Sequence, residues 1–214
     1  MSAAAATTCH NSEDGAVSDF FPDPPAAPVE PEETPQPEWL NAPDDVLPGV
    51  VPVELVIGRS EQAAVLLTGM RAFPTGVAMT LHVLARVSLG RRFDLNDEVF
   101  DGPYRHDQDE AWRRDRFKWG FEFSDGRRVT SVDPWPGSFD PEHVPDRPVL
   151  SGGGGGGGSR SVRRSYWLWP LPPPGTLKVV CQWPRFDIGP TTSTIDADQI
   201  QAAATRAQPV WPTD

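Results

Sequence analysis

Lysine is nearly absent from this chain: Lys118 and Lys178 stand against seventeen arginines. Cysteine is as scarce, and two thiols as far apart as Cys9 and Cys181 make no disulfide framework. No stretch approaches the ~20 apolar residues of a membrane-spanning helix. The start, Met1 to Cys9, lacks the positive and apolar regions of a secretory signal. Together these absences predict a cytoplasmic protein with no membrane contact.

Basic residues are missing altogether from positions 1–50, which hold ten acidic ones. The chain has 30 acids and 19 bases, so the rest holds 20 against 19, and the net charge of -11 belongs to the leader. Residues 1–43 are mostly Ala, Pro, Ser, Thr and acids, too few apolar side chains to offset the entropy of ordering. They predict a disordered, acidic, proline-rich tail, and a second expectation is that this tail masks the arginine clusters further on. Residues 44–214 then form the folded domain.

In that domain the periodicity is that of strands. Val77, Met79, Leu81, Val83, Ala85 and Val87 alternate with a mixed set, and Pro74-Thr75-Gly76 joins them to the apolar run Ala63 to Met70. Val53 to Ile57 is a further strand candidate. Phe117, Trp119, Phe121 and Phe123 share one face, and Asp125-Gly126 turns them into Arg127 to Val132, a hairpin signal. Ser165 to Leu171 and Thr176 to Trp183 flank Pro172-Pro173-Pro174-Gly175 and read as another hairpin. Gly152 to Gly158 cannot bury apolar area, so this run predicts a mobile connection within a flexible loop at about 133–164. Helix signals appear at the end: Asp196 as N-cap, with Ile195 and Ile200 as a hydrophobic staple, predicts a helix at about 196–207, with Trp211 anchoring its exit.

About seven strands and one helix argue for an antiparallel β-sandwich, immunoglobulin-like in shape, although the cysteine-tryptophan-cysteine spacing of true immunoglobulin domains is missing. The stretch from Tyr166 to Gly175, followed by Val180 to Pro184, resembles uncharacterised proteins of actinobacteria that carry a polyglycine run just upstream. The abundance of Ala, Pro, Gly and Arg fits such a source. The resemblance covers about Val53 to Trp211 and implies no activity.

Chemistry-bearing motifs are few. Gly152 to Gly158 lacks the Lys-Ser/Thr ending of a phosphate loop, and no Gly-x-Ser-x-Gly elbow occurs. His106, Asp107, Asp109 and Glu110 could ligate a divalent cation, but they sit in a polar loop of both charge signs. His82 lies on the mixed face of its strand and reads as a hydrogen-bonding residue; His143 has no visible partner. No catalytic residue, metal or cofactor is implied. Arg113, Arg114, Arg116, Arg163 and Arg164 beside aromatics would suit single-stranded nucleic acid, yet interleaved acids cancel much of that field. The leading expectation is a non-enzymatic interaction module that presents Tyr166, Trp167, Trp169, Pro172, Pro173, Pro174, Arg163 and Arg164, or a sheet edge, to another protein. The competing expectation is that the tryptophans fill the core.

Overall fold

A computed structural model describes residues 36–86, 95–100, 110–136 and 143–212. The acidic leader to residue 35 and the loop from 101 to 109 fall outside these, and with them most of the His106 cluster and the question of masking by the tail. In chain order the elements are β1 (Val46–Leu47), β2 (Gly49–Val50), β3 (Leu55–Arg59), β4 (Ala63–Ala72), β5 (Val77–Ala85), α1 (Leu95–Phe100), α2 (Glu110–Asp115), β6 (Lys118–Glu122), β7 (Arg128–Thr130), β8 (Val149–Gly158), β9 (Ser161–Trp169), β10 (Thr176–Trp183), β11 (Ile188–Asp196), α3 (Ala197–Ala204) and β12 (Gln208–Pro209).

They build an antiparallel β-sandwich. One sheet runs β2-β4-β5-β9-β8, with β3 also paired to β4, and the other runs β11-β10-β6-β7. Alternation decides which side chains meet between them. Val65, Leu67, Val77, Met79, Leu81, Val83, Val162 and Leu168 come from the first sheet, and Trp119, Phe121, Leu177, Val179, Cys181 and Trp183 from the second, all buried in one cluster. Each fully buried aliphatic side chain contributes about 1.5–3 kcal/mol. On one side the sandwich is closed: β3 leans against β10 and β11, and the Thr191 hydroxyl donates to the carbonyls of Ile57 (2.5 Å) and Cys181 (3.0 Å). On the other side β7 and β8 end their sheets, with no ladder between them among the described residues.

Local chemistry explains the expected hairpins. β4 and β5 pair from Ala63↔Ala85 to Ala72↔Val77. β6 and β7 pair through Glu122↔Arg128, with Gly126 at φ 87° in the turn, a value glycine adopts at no steric cost. α3 starts where expected, the Asp196 carboxylate accepting from the Asp198 amide at 3.0 Å. It ends at Ala204, short of residue 207, and docks Ile200 and Ala203 into the core.

Four expectations are corrected. The glycine run is a strand: its two-residue Ser159-Arg160 turn leads into β9, and the ladder extends from Val149↔Trp169 to Gly158↔Ser161. The entropy lost on ordering glycine is offset by that ladder and by a backbone approach that only glycine permits, taken up in the Discussion. Ser165 to Leu171 and Thr176 to Trp183 do not pair. β9 and β10 lie in opposite sheets, because four prolines between Trp169 and Gly175 lack the N–H donors that a hairpin ladder needs next to its turn. Residues 36–43 belong to the folded unit rather than the tail, for Trp39 is 2% exposed, packs its ring at 5.4 Å from Trp135 and donates its indole N–H to the His143 carbonyl at 2.7 Å. Trp211 anchors nothing, being 71% exposed. Helices α1 and α2 are not among the elements expected from the sequence; each is six residues long, and α1 is held by the burial of Leu95 and Val99 rather than by propensity.

Candidate interaction surface

β9 carries most of the expected partner residues, and its alternation sorts them. Val162, Arg164, Tyr166 and Leu168 point between the sheets, whereas Arg163, Ser165, Trp167 and Trp169 point out. Tyr166 is buried edge-on against Trp119, with ring centroids 4.8 Å apart. Trp167 points outward but is covered: its indole donates to the Glu38 carbonyl at 2.9 Å and its ring meets Phe73 edge-on. Pro172 is buried and its carbonyl accepts from Gln201 at 2.6 Å, which ties the loop to α3. What remains open to a partner is Arg163, near the start of β9, and Pro174 in the loop beyond its end, with Trp169 and Pro173 half-buried.

Arg164 spans the side where β7 and β8 end their sheets. Its guanidinium donates to the carbonyls of Val99 (2.7 Å), Phe100 (3.2 Å) and Gly153 (3.3 Å) and lies over the rings of Phe100 and Tyr166. It therefore caps the carbonyl end of α1 with a cation, the favourable sign at a helix C-terminus. Between β7 and β8 a cleft of about 200 Å³ is lined by Glu98, Phe117, Val129, Trp135, Ser151 and Tyr166, among others. The Ser151 hydroxyl is buried there and has no hydrogen-bond partner.

Glu98 is the buried acid of this cleft. Burial pushes its carboxyl above the usual carboxylate range, against the Phe117 amide (3.2 Å) and Arg185 (3.4 Å), which favour the charged form. With the folded pKa above the ordinary 4.5, this group adds stability at low pH and loses it as pH rises through the folded value. Glu98→Gln keeps an acceptor for the Phe117 amide and removes the charge. At neutral pH the variant unfolds at higher urea than wild type, and the gap closes as the pH falls towards 4.5. Equal or lower stability of the variant at neutral pH would contradict the assignment.

The other titratable groups are committed. Burial pushes the Cys181 thiol up to about 12, which leaves it uncharged and unreactive at neutral pH. The His82 ring lies 3.0 Å from the Ser161 hydroxyl, as its place on the mixed face implied, and burial together with Arg163 lowers its pKa. Glu122 bridges Lys178 and Arg128 on the outer face of the second sheet, and these hydrogen bonds hold its carboxyl below the usual range. Glu110, the described member of the His106 cluster, pairs with Arg114 at 3.7 Å. Among the described residues no three His, Cys, Asp or Glu side chains come together as a metal site, and no helix is long and apolar enough to cross a membrane.

No protein-family model matches the chain, and no curated protein or solved structure matches it either.

Sequence reasoning missed the edge position of β8, since glycines have no alternation to read. The available signal lay across the turn, where Val162, Arg164, Tyr166 and Leu168 alternate with Arg163 and Ser165 directly after Ser159-Arg160.

Proposed function

We propose that this chain is a non-enzymatic protein-interaction module whose partner meets the end of β9 at Trp169 and the loop residues Pro173 and Pro174, and extends along the outward face of the strand to Arg163. The observation that supports this reading is the combination of a half-exposed tryptophan at the end of β9 and rigid prolines in the loop that follows it, with an arginine further back on the same outward face. Such residues are the usual anchors of interfaces, where a large ring buries much area at little entropic cost. The ionisable groups within the sandwich serve the fold: Glu98 binds Phe117 and Arg185, and Arg164 caps α1.

Affinity capture from a native lysate tests the reading, with wild-type chain compared against Trp169→Ala/Pro174→Ser. Both substitutions leave the core intact, so melting temperatures match within a few degrees. A specific protein held by wild type and lost by the double variant is the expected result. Capture of the same proteins by both chains would rule out this surface.

A further inference from the structure

We propose that the outer edge of β8 accepts an extended acidic peptide as an added antiparallel or parallel strand, a partner class that rests on the interaction-module reading above. Among the described residues β8 pairs on one side only, with β9, and Gly152 to Gly158 are all exposed. An edge strand offers a row of backbone N–H and C=O groups, and natural edges are commonly shielded by charge, proline or a covering element. Gly153 to Gly158 carry no side chain to shield them, and Cβ atoms placed on Gly154, Gly156 and Gly158 would meet nothing within 4 Å. A ladder of main-chain hydrogen bonds is what such an edge can supply to an incoming strand.

Charge selects the partner. β4, β5, β8 and β9 contain no Asp or Glu, whereas Arg71, Arg163 and Arg164 lie on them and Arg160 lies in the turn. Arg160 and Arg163 have no carboxylate partner among the described residues. The acids nearest this side are otherwise engaged, Glu98 by Arg185 and Asp133 by the amide and hydroxyl of Thr130. Register places His82, Arg163 and Gly156 in one row across β5, β9 and β8. A strand added outside β8 would lie about 10 Å from the Arg163 backbone, and the bare Gly156 between them leaves the path over the sheet clear. Arg164 already makes such a crossing on the inner face: a Cβ on Gly152 would lie 2.3 Å from its guanidinium. A carboxylate of the added strand opposite Gly156 thus meets Arg163 reaching across glycine, and one beside the turn meets Arg160.

Two other occupants fit less well. A second copy joined edge to edge would bring glycine against glycine, with no side-chain contact and no carboxylate for either copy's arginines. Single-stranded nucleic acid could use the charge but not the ladder, and next to Arg163 and Arg164 on β9 the rings of Tyr166 and Trp167 are buried rather than free to stack.

The test uses the full chain and a short fluorescent peptide of alternating valine and glutamate, with binding read by anisotropy at low salt. Wild type binds the peptide. A peptide of identical charge, N-methylated at every second residue so that it cannot complete the ladder, binds at least ~10-fold more weakly. Arg160→Ala/Arg163→Ala, whose side chains are on the surface, weakens binding of the unmethylated peptide about 10-fold. Hydrogen exchange at the amides of Gly153 to Gly158 slows when peptide is bound. Equal affinity for the N-methylated peptide, equal affinity of the arginine variant, tighter binding of an oligothymidylate of the same charge, or self-association of the chain without peptide binding each overturns strand addition. If lysate capture depends on Trp169 but no peptide binds, strand addition fails alone. If the peptide binds as described but capture is indifferent to Trp169 and Pro174, the surface proposed for the protein partner fails and the edge stands.

Discussion

Trp167→Ala lowers the stability of the chain by about 3–5 kcal/mol, the range for removing a large buried aromatic side chain. Trp167 is 4% exposed, holds the Glu38 carbonyl at 2.9 Å and rests edge-on against Phe73. Truncation leaves a cavity and an orphaned carbonyl together, and it releases the segment 37–40 that covers this part of the sheet. Domains are stable by only about 5–15 kcal/mol, so the loss is a large share of the total. For a chain of this size it lowers Tm by roughly 10 °C. Trp169→Ala, two residues along on the same face but half-exposed, loses less than about 1.5 kcal/mol. Urea unfolding of the two variants separates them, and equal losses would mean that Trp167 is not covered as described. The contrast also fixes how the partner surface must be probed: only the Trp169 variant reports binding rather than folding.

Gly155→Ala and Gly157→Ala each cost about 1–3 kcal/mol, the usual penalty for forcing an extra carbon into a filled space. The cause is backbone, which cannot step aside as a side chain can. A Cβ on Gly155 would lie 2.1 Å from the Arg163 carbonyl oxygen, and one on Gly157 would lie 2.1 Å from that of Ser161. Their neighbours behave oppositely. Gly154, Gly156 and Gly158 face open space, so alanine there meets no obstacle and removes freedom from the unfolded chain. Those three substitutions are neutral or stabilise by up to about 1 kcal/mol. An alanine scan by urea unfolding should therefore alternate in sign along the run. A flat profile, in which every position tolerates alanine alike, is what a mobile linker would give and would remove the strand assignment.

The residues with readable periodicity gave up their places directly. Val77 to Ala85, Phe117 to Phe123 and the Asp196 cap are local signals, and local signals decided those elements. Three features depended on contacts distant in sequence. The glycine run gains its order from β9, so composition alone pointed to mobility. The proline loop after Trp169 reads as a turn from within, and only the separate partners of β9 and β10 send it from one sheet to the other. Residues 36–43 resemble the leader in composition, but Trp39 finds Trp135 and His143 about a hundred positions away. The candidate surface divides in the same manner: β9 alternation placed Arg163 and Trp169 outward and Tyr166 inward, while the covering of Trp167 came from Glu38 and Phe73.

The β8 ladder contains a bulge, where Gly153 and Gly154 oppose the single residue Ser165. In an ordinary strand the gain or loss of one residue exposes every core side chain beyond it. Here the positions beyond the bulge are identical and bear nothing to misplace, so one glycine more or fewer is taken up in the bulge or the turn and leaves Val149 and Val162 in the core. Homopolymer runs are prone to such length changes during replication. In this fold the run lies at a sheet edge, where a change of length displaces no core side chain.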